Sequence, residues 1–192
     1  MTTLLLLLVA ILSGCAAAAS YLDTPIEDFA KMTKKDFHNY LSAMHIEMKA
    51  EEKPLIPKEM TALLKSLTID DYDGIVAYAK KVEEFGNKGE PVDTYEAWGA
   101  VEDVNRNLYE RGLKSYDAYI GKVENLSMKP KELVFDTIEK PRKPSGEEHG
   151  VQENRILAEF LQGASRLSAD EQAELELVYP NLTMVIKVLK NE

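Results

Sequence analysis

The stretch Ser66–Phe85, SLTIDDYDGIVAYAKKVEEF, decides the fold. Thr68 is placed to cap a helix, and Asp71, three residues on, reaches back to the N–H of the cap in the reciprocal capping-box arrangement. From there Ile69, Tyr72, Ile75, Val76, Ala79, Val82 and Phe85 recur at helical spacing, with Asp70, Asp73, Lys80, Lys81, Glu83 and Glu84 on the opposite side. The stretch predicts one amphipathic helix whose apolar stripe meets either a core or a ligand. Thr68 and Asp71 also fit an acidophilic phosphorylation spacing, but the cap reading needs no kinase.

Working outward, the same start marks recur and strand marks do not. Thr24-Pro25-Ile26-Glu27 and Thr33-Lys34-Lys35-Asp36 open a helical region that runs to about Lys53 and carries Phe37, Tyr40, Leu41, Met44 and Met48. Pro54 and Pro57 interrupt it, and Pro57 starts a short helix bearing Met60, Leu63, Leu64 and Leu67. Gly86 to Pro91 is a turn by composition. Asp93 and Glu96 form a further capping box, leading into a stripe of Ala97, Trp98, Val101, Val104, Leu108, Leu113, Tyr116, Ile120 and Val123. That helix would span about 45 Å to Asn125 at 1.5 Å per residue, with Gly112 as its candidate break. Ser127 caps a helix ending at Pro141, and the polar linker Pro141–Gly150 follows. Ser145 with Glu148, then Ser168 with Glu171, start two more helices, and Pro180 breaks the second before Leu182, Val185, Ile186 and Leu189. The expectation is an all-α protein of about eight helices in an irregular arrangement.

The N-terminus is of another kind. Leu4 to Leu12 is an almost unbroken apolar run, followed by small residues suited to cleavage after Ala19 or Ser20, so residues 1–20 read as a secretory signal peptide. The run is too short for a permanent span, which takes about 20 apolar residues. Leu12-Ser13-Gly14-Cys15 has the form of a bacterial lipoprotein cleavage site, without the basic residues that should precede it. Residues 21–53 form an N-terminal helical region and 54–192 a helical domain that packs with it as one unit. Cys15 is the only cysteine, so the mature, extracellular chain has no disulfide and relies on its core. Thiol and zinc-finger chemistry fall away together. Net charge is −10, which sets the chain against nucleic-acid phosphates and anionic membranes as stable partners.

Catalytic constellations do not emerge. His38 and His45 are seven residues apart on one helix, about 10 Å along its axis, too far for one metal ion. His149 sits in the linker beside Glu147 and Glu148, where solvation accounts for it. There is no G-x-S-x-G turn, phosphate-cradling glycine loop or H-E-x-x-H helix. The expectation is no enzyme, no metal and no cofactor. Asn125-Leu126-Ser127 and Asn181-Leu182-Thr183 fit the N-glycosylation pattern, each beside a helix end.

The ordered segments LIPKEMTALLKSLTIDD, ENLSMKPKELVFDTIEK and RLSADEQAELELVYPNLTMVIKVLKN resemble the nematode fatty-acid- and retinol-binding proteins. The matching marks are Leu55 to Pro57, Leu67 to Asp71, Leu126-Ser127, Leu167-Ser168 and Tyr179-Pro180. The resemblance implies a secreted carrier: a flattened wedge of helices around an apolar cavity that takes fatty acids and retinol, with transient membrane contact during exchange. The lining would then come from the stripes: Leu67, Ile75, Val76, Ala79, Val82, Trp98, Val101, Leu108, Ile120, Val123, Ile138, Leu157, Phe160, Leu161 and Val185. A carboxylate would stay at the cavity mouth, because burying it unpaired is costly. Lys114, Lys122 and Arg155 are its candidate contacts, while retinol, with only a hydroxyl, can sit deeper. The alternative is a secreted all-helical interaction module whose core is filled and holds no ligand.

Overall fold

The computed structural model of the chain describes the backbone of residues 26–50, 55–140 and 147–191, and the side chains of 28–46, 55–140 and 155–188. The expected signal segment with Cys15, the Thr24-Pro25 start, the Ser145 start and the side chain of His149 lie outside the described residues. Ten α-helices and one short 3₁₀ turn occur among the described residues, and no strand: the protein is all-α. The helices are α1 Ile26–Lys31, α2 Lys34–Ala50, α3 Lys58–Lys65, α4 Tyr72–Lys88, α5 Thr94–Val104, α6 Arg106–Glu124, α7 Met128–Ile138, α8 Glu147–Ser165, α9 Ala169–Val178 and α10 Leu182–Asn191. None of them is long and apolar enough to cross a membrane.

Two breaks raise the count above eight. The first is at Thr33, whose hydroxyl oxygen accepts the Asp36 N–H at 3.2 Å and so starts α2 afresh two residues after α1 ends. The second corrects the expected long helix, which divides at Asn105 and not at Gly112. The Asn105 side chain accepts the Leu108 N–H at 2.9 Å, capping α6, and its amide donates to the Asp70 carbonyl at 3.0 Å. An asparagine that bonds the backbone in this way competes with the helix it sits in. Gly112 serves a different need. A Cβ there would lie 2.2 Å from Cζ2 of Trp98, so only glycine lets α6 approach the indole this closely.

Two of the other marked starts form as expected and two differ. The Thr68–Asp71 capping box is present, although its first turn, Ile69–Asp71, is 3₁₀ before α4 proper begins. Ser168 and Glu171 close the box of α9. Asp93 caps α5 through the Tyr95 and Glu96 N–H groups, but Glu96 does not return the contact, because its carboxylate meets the Lys81 ammonium at 2.7 Å. An ion pair, in which both partners are charged, outweighs a cap bond in which only the carboxylate is. Ser127 makes no side-chain cap; its own N–H donates instead to Glu174 of α9 at 2.7 Å. Helix α4 runs through Gly86 and stops at Gly89, whose φ of 70° is the left-handed conformation that ends a helix cheaply in glycine.

Helix α6 joins the molecule together. It packs against α3, α5, α7 and α9, while α4 lies between α1 and α5 and α10 rests on α8 and α9. One continuous apolar core results, reaching from Phe29, Phe37 and Met44 in the N-terminal region to Leu182 and Ile186 near the end. The Tyr72 hydroxyl fastens the N-terminal region further, donating to the Met32 carbonyl at 2.8 Å.

Candidate functional site

Helical spacing on α4 through α8 brings most of the expected lining residues to this core. Leu67, Ile75, Ala79, Val82, Trp98, Val101, Leu108, Val123, Ile138, Phe160 and Leu161 are buried in it. Ile120, Leu157 and Val185 are partly buried and pack against it. Val76 is half-buried and stands outside the cluster; Tyr78 takes the inward position on the stripe instead. Gly74 explains the rotation. It lets α4 rest directly on Val101, Asn105 and Leu108, which turns the Ile75–Tyr78–Ala79–Val82 face inward.

Three groups of polar atoms interrupt the apolar interior. At one margin, the buried Asp71 carboxylate accepts from Arg111, from the Asn105 amide at 3.4 Å and from the Thr68 N–H at 2.8 Å. Arg111 also donates to the Ser66 carbonyl at 3.0 Å and to the Asn107 side chain at 2.9 Å. Every strong group there has a partner, and the arrangement fastens the start of α4 to α6.

The second group lies between α3, α6 and the segment after α9. The Tyr119 and Tyr179 hydroxyls are 2.5 Å apart in the core, and burial pushes both phenols above their ordinary range, so both stay protonated. Glu59 pairs with Lys122 through one carboxylate oxygen, while its other oxygen is buried without a hydrogen-bond partner among the described residues.

The third group, on α4 and α5, is the least satisfied. Tyr78, Thr94 and Trp98 are 2%, 2% and 6% exposed, and the Tyr78 hydroxyl, the Thr94 hydroxyl and the Trp98 Nε1 have no hydrogen-bond partner among the described residues. The Tyr78 and Trp98 rings meet edge to face at 6.3 Å, and Tyr109 stacks on the indole at 6.0 Å. Burial raises the Tyr78 phenol far above its ordinary range, which keeps it a neutral donor. Tyr78 was legible as a stripe position three residues after Ile75. Thr94 was hidden behind its neighbour Asp93, the cap, and Arg111 has no local signal because Asp71 is 40 residues away.

The basic candidates serve separate places. Lys122 is committed to Glu59, Arg155 is exposed and 3.7 Å from Glu159, and Lys114 is exposed on α6. No group of three His, Cys, Asp or Glu side chains close enough to hold a metal ion occurs among the described residues. At the glycosylation motifs, Asn125 is exposed at the end of α6 and donates to the Gly121 carbonyl at 2.7 Å, while Asn181 has a φ of 63°. No family model, curated protein or solved structure matches the chain.

Proposed function

We propose that the chain is a secreted carrier that holds long-chain fatty acids and retinol in the apolar interior between its helices. The ordered marks from Leu55 to Pro180 support the class of ligand. The observation that carries the reading against a filled core is the set of buried hydrogen-bonding atoms on Tyr78, Thr94 and Trp98 that have no partner among the described residues. Native interiors leave very few such atoms, since each costs about 1–3 kcal/mol. A core evolved only for stability has no reason to keep three of them between adjacent helices.

The energetics need no special residue. About 14 buried methylenes at about 0.8 kcal/mol each give roughly 11 kcal/mol gross. Immobilisation takes several kcal/mol from that and leaves micromolar binding or better. A carboxylate stays at the margin, where all three candidate cations are exposed, Lys122 already paired with Glu59 and Arg155 3.7 Å from Glu159. The interaction-module reading has one observation in its favour: Leu177, Met184 and Val188, on α9 and α10, are 72%, 55% and 55% exposed. The carrier reading uses the same side chains for transient membrane contact during lipid exchange.

The deciding experiment titrates the lipid-stripped chain with an environment-sensitive fluorescent fatty acid, then displaces it with oleate and retinol. The expected outcome is a strong blue shift that oleate reverses. A folded, helical protein that produces no shift has a filled interior, and the interaction-module reading replaces the carrier.

A further inference from the structure

We propose that Tyr78, Thr94 and Trp98 form the polar end of the lipid site, and that this end receives an uncharged oxygen, that of a long-chain alcohol, in preference to a carboxylate. The inference rests on the carrier reading and names where one class of its ligands is anchored. Thr94 and Trp98 are four residues apart on α5 and so share a face, about one helical turn from each other. Tyr78 comes to that face from α4, with its ring against the indole. Three side chains on two adjacent helices therefore present hydrogen-bonding atoms in the same small region, none with a partner among the described residues.

The chemistry of these atoms selects the ligand. The indole N–H only donates, whereas the tyrosine and threonine hydroxyls both donate and accept. An alcohol oxygen accepts two hydrogen bonds and donates one, which matches one indole N–H, one hydroxyl donor and one hydroxyl acceptor. A carboxylate gains no counter-charge in the same place. Lys81, on the next turn of α4 after Tyr78, is already held by Glu96 at 2.7 Å and by Glu84 at 2.9 Å. These contacts, first that to Glu96 and then that to Glu84, push its ammonium up to about 12, so it remains committed to the two acids. An incoming anion would face those carboxylates and lose its hydration with nothing to replace it.

Trp98 is the only tryptophan in the chain, so its emission reports this site directly. The test compares dodecanol, dodecanoate and dodecane, which share a chain and differ at the end, on the lipid-stripped full chain. Binding is read from Trp98 emission and from displacement of a fluorescent alkyl probe. The wild type is expected to bind dodecanol about tenfold or more tightly than dodecanoate. Tyr78→Phe and Thr94→Val are each expected to weaken dodecanol about three- to tenfold, the loss of one hydrogen bond, and to leave dodecane unchanged. Ligand-free Tyr78→Phe should melt no lower than the wild type, because it removes a polar atom that had no partner. Thr94→Val, nearly isosteric, keeps the test open should Tyr78→Phe fold poorly.

Equal loss of dodecanol and dodecane in these variants would overturn the subsite, as would tighter binding of dodecanoate. So would a lower melting temperature of Tyr78→Phe with all affinities unchanged, the sign of a structural water on the phenol. In each of those cases the ligands still bind and the carrier reading stands. Failure of all three ligands to bind the folded wild type would overturn both.

Discussion

Asp71 meets a local need and a distant one with the two oxygens of one carboxylate. Oδ2 accepts the Thr68 N–H at 2.8 Å and completes the cap, while Oδ1 accepts from Arg111 and Asn105 and ties α4 to α6. Arg111→Ala leaves a carboxylate that is 3% exposed without its counter-charge, which should cost about 3 kcal/mol of stability. Urea unfolding checks this: the midpoint should fall with the slope unchanged, because the surface exposed on unfolding is the same. Arg111→Lys should recover only part of the loss, since an ammonium lacks the planar fork that reaches Ser66, Asn107 and Asp71 together. The two halves of this contact differ in legibility. The cap could be read because Thr68 and Asp71 stand at a fixed spacing. No periodicity relates Asp71 to a residue 40 positions away, so the pairing that fastens the helix appears only in three dimensions.

Among the elements, the junction of α5 and α6 shows where a pattern of spacing misleads. Val101, Val104 and Leu108 continue at helical intervals across Asn105, so the apolar stripe reads as unbroken. A single asparagine without the usual acid or amide three residues on is a weak start mark, unlike Thr68–Asp71 or Ser168–Glu171. Glycine drew the expected break to position 112 because its missing side chain costs helix stability, yet that absence is needed for the Trp98 indole. Asn105→Ala removes both the cap of α6 and the bond to the Asp70 carbonyl, and should destabilise the protein by about 1–2 kcal/mol. Asn105→Asp restores the cap acceptor but sets a second carboxylate beside Asp71, so it should rescue less than half of the loss. Thermal unfolding followed by circular dichroism measures both. Equal stability of all three proteins would mean that the bend is held by core packing, with Asn105 a bystander.

On the scale of the whole molecule, the apolar stripes foretold most of the buried residues, the exposed Val104 and half-buried Val76 apart, but not what they meet. Periodicity reports burial alone, and a side chain facing a lipid is spaced like one facing another helix. The atoms of Tyr78 and Trp98 that lack partners among the described residues escaped for the same reason: a phenol or an indole N–H at helical spacing looks like any other large residue until its neighbours are known. If the interior holds lipid, filling it must stabilise the fold, because the ligand binds the folded chain and not the unfolded one. At a free ligand concentration 100 times Kd the gain is about 2.7 kcal/mol. Each kcal/mol moves the melting temperature of a chain of this size by about 2–4 °C, so a rise of about 5–10 °C is expected, growing with the logarithm of ligand concentration. The rise should be accompanied by slower amide hydrogen exchange in α4 and α5, which carry the unsatisfied groups. Slowing confined to α9 and α10 would instead locate the lipid on the exposed Leu177, Met184 and Val188, making these helices a membrane- or partner-facing surface and the core a filled one.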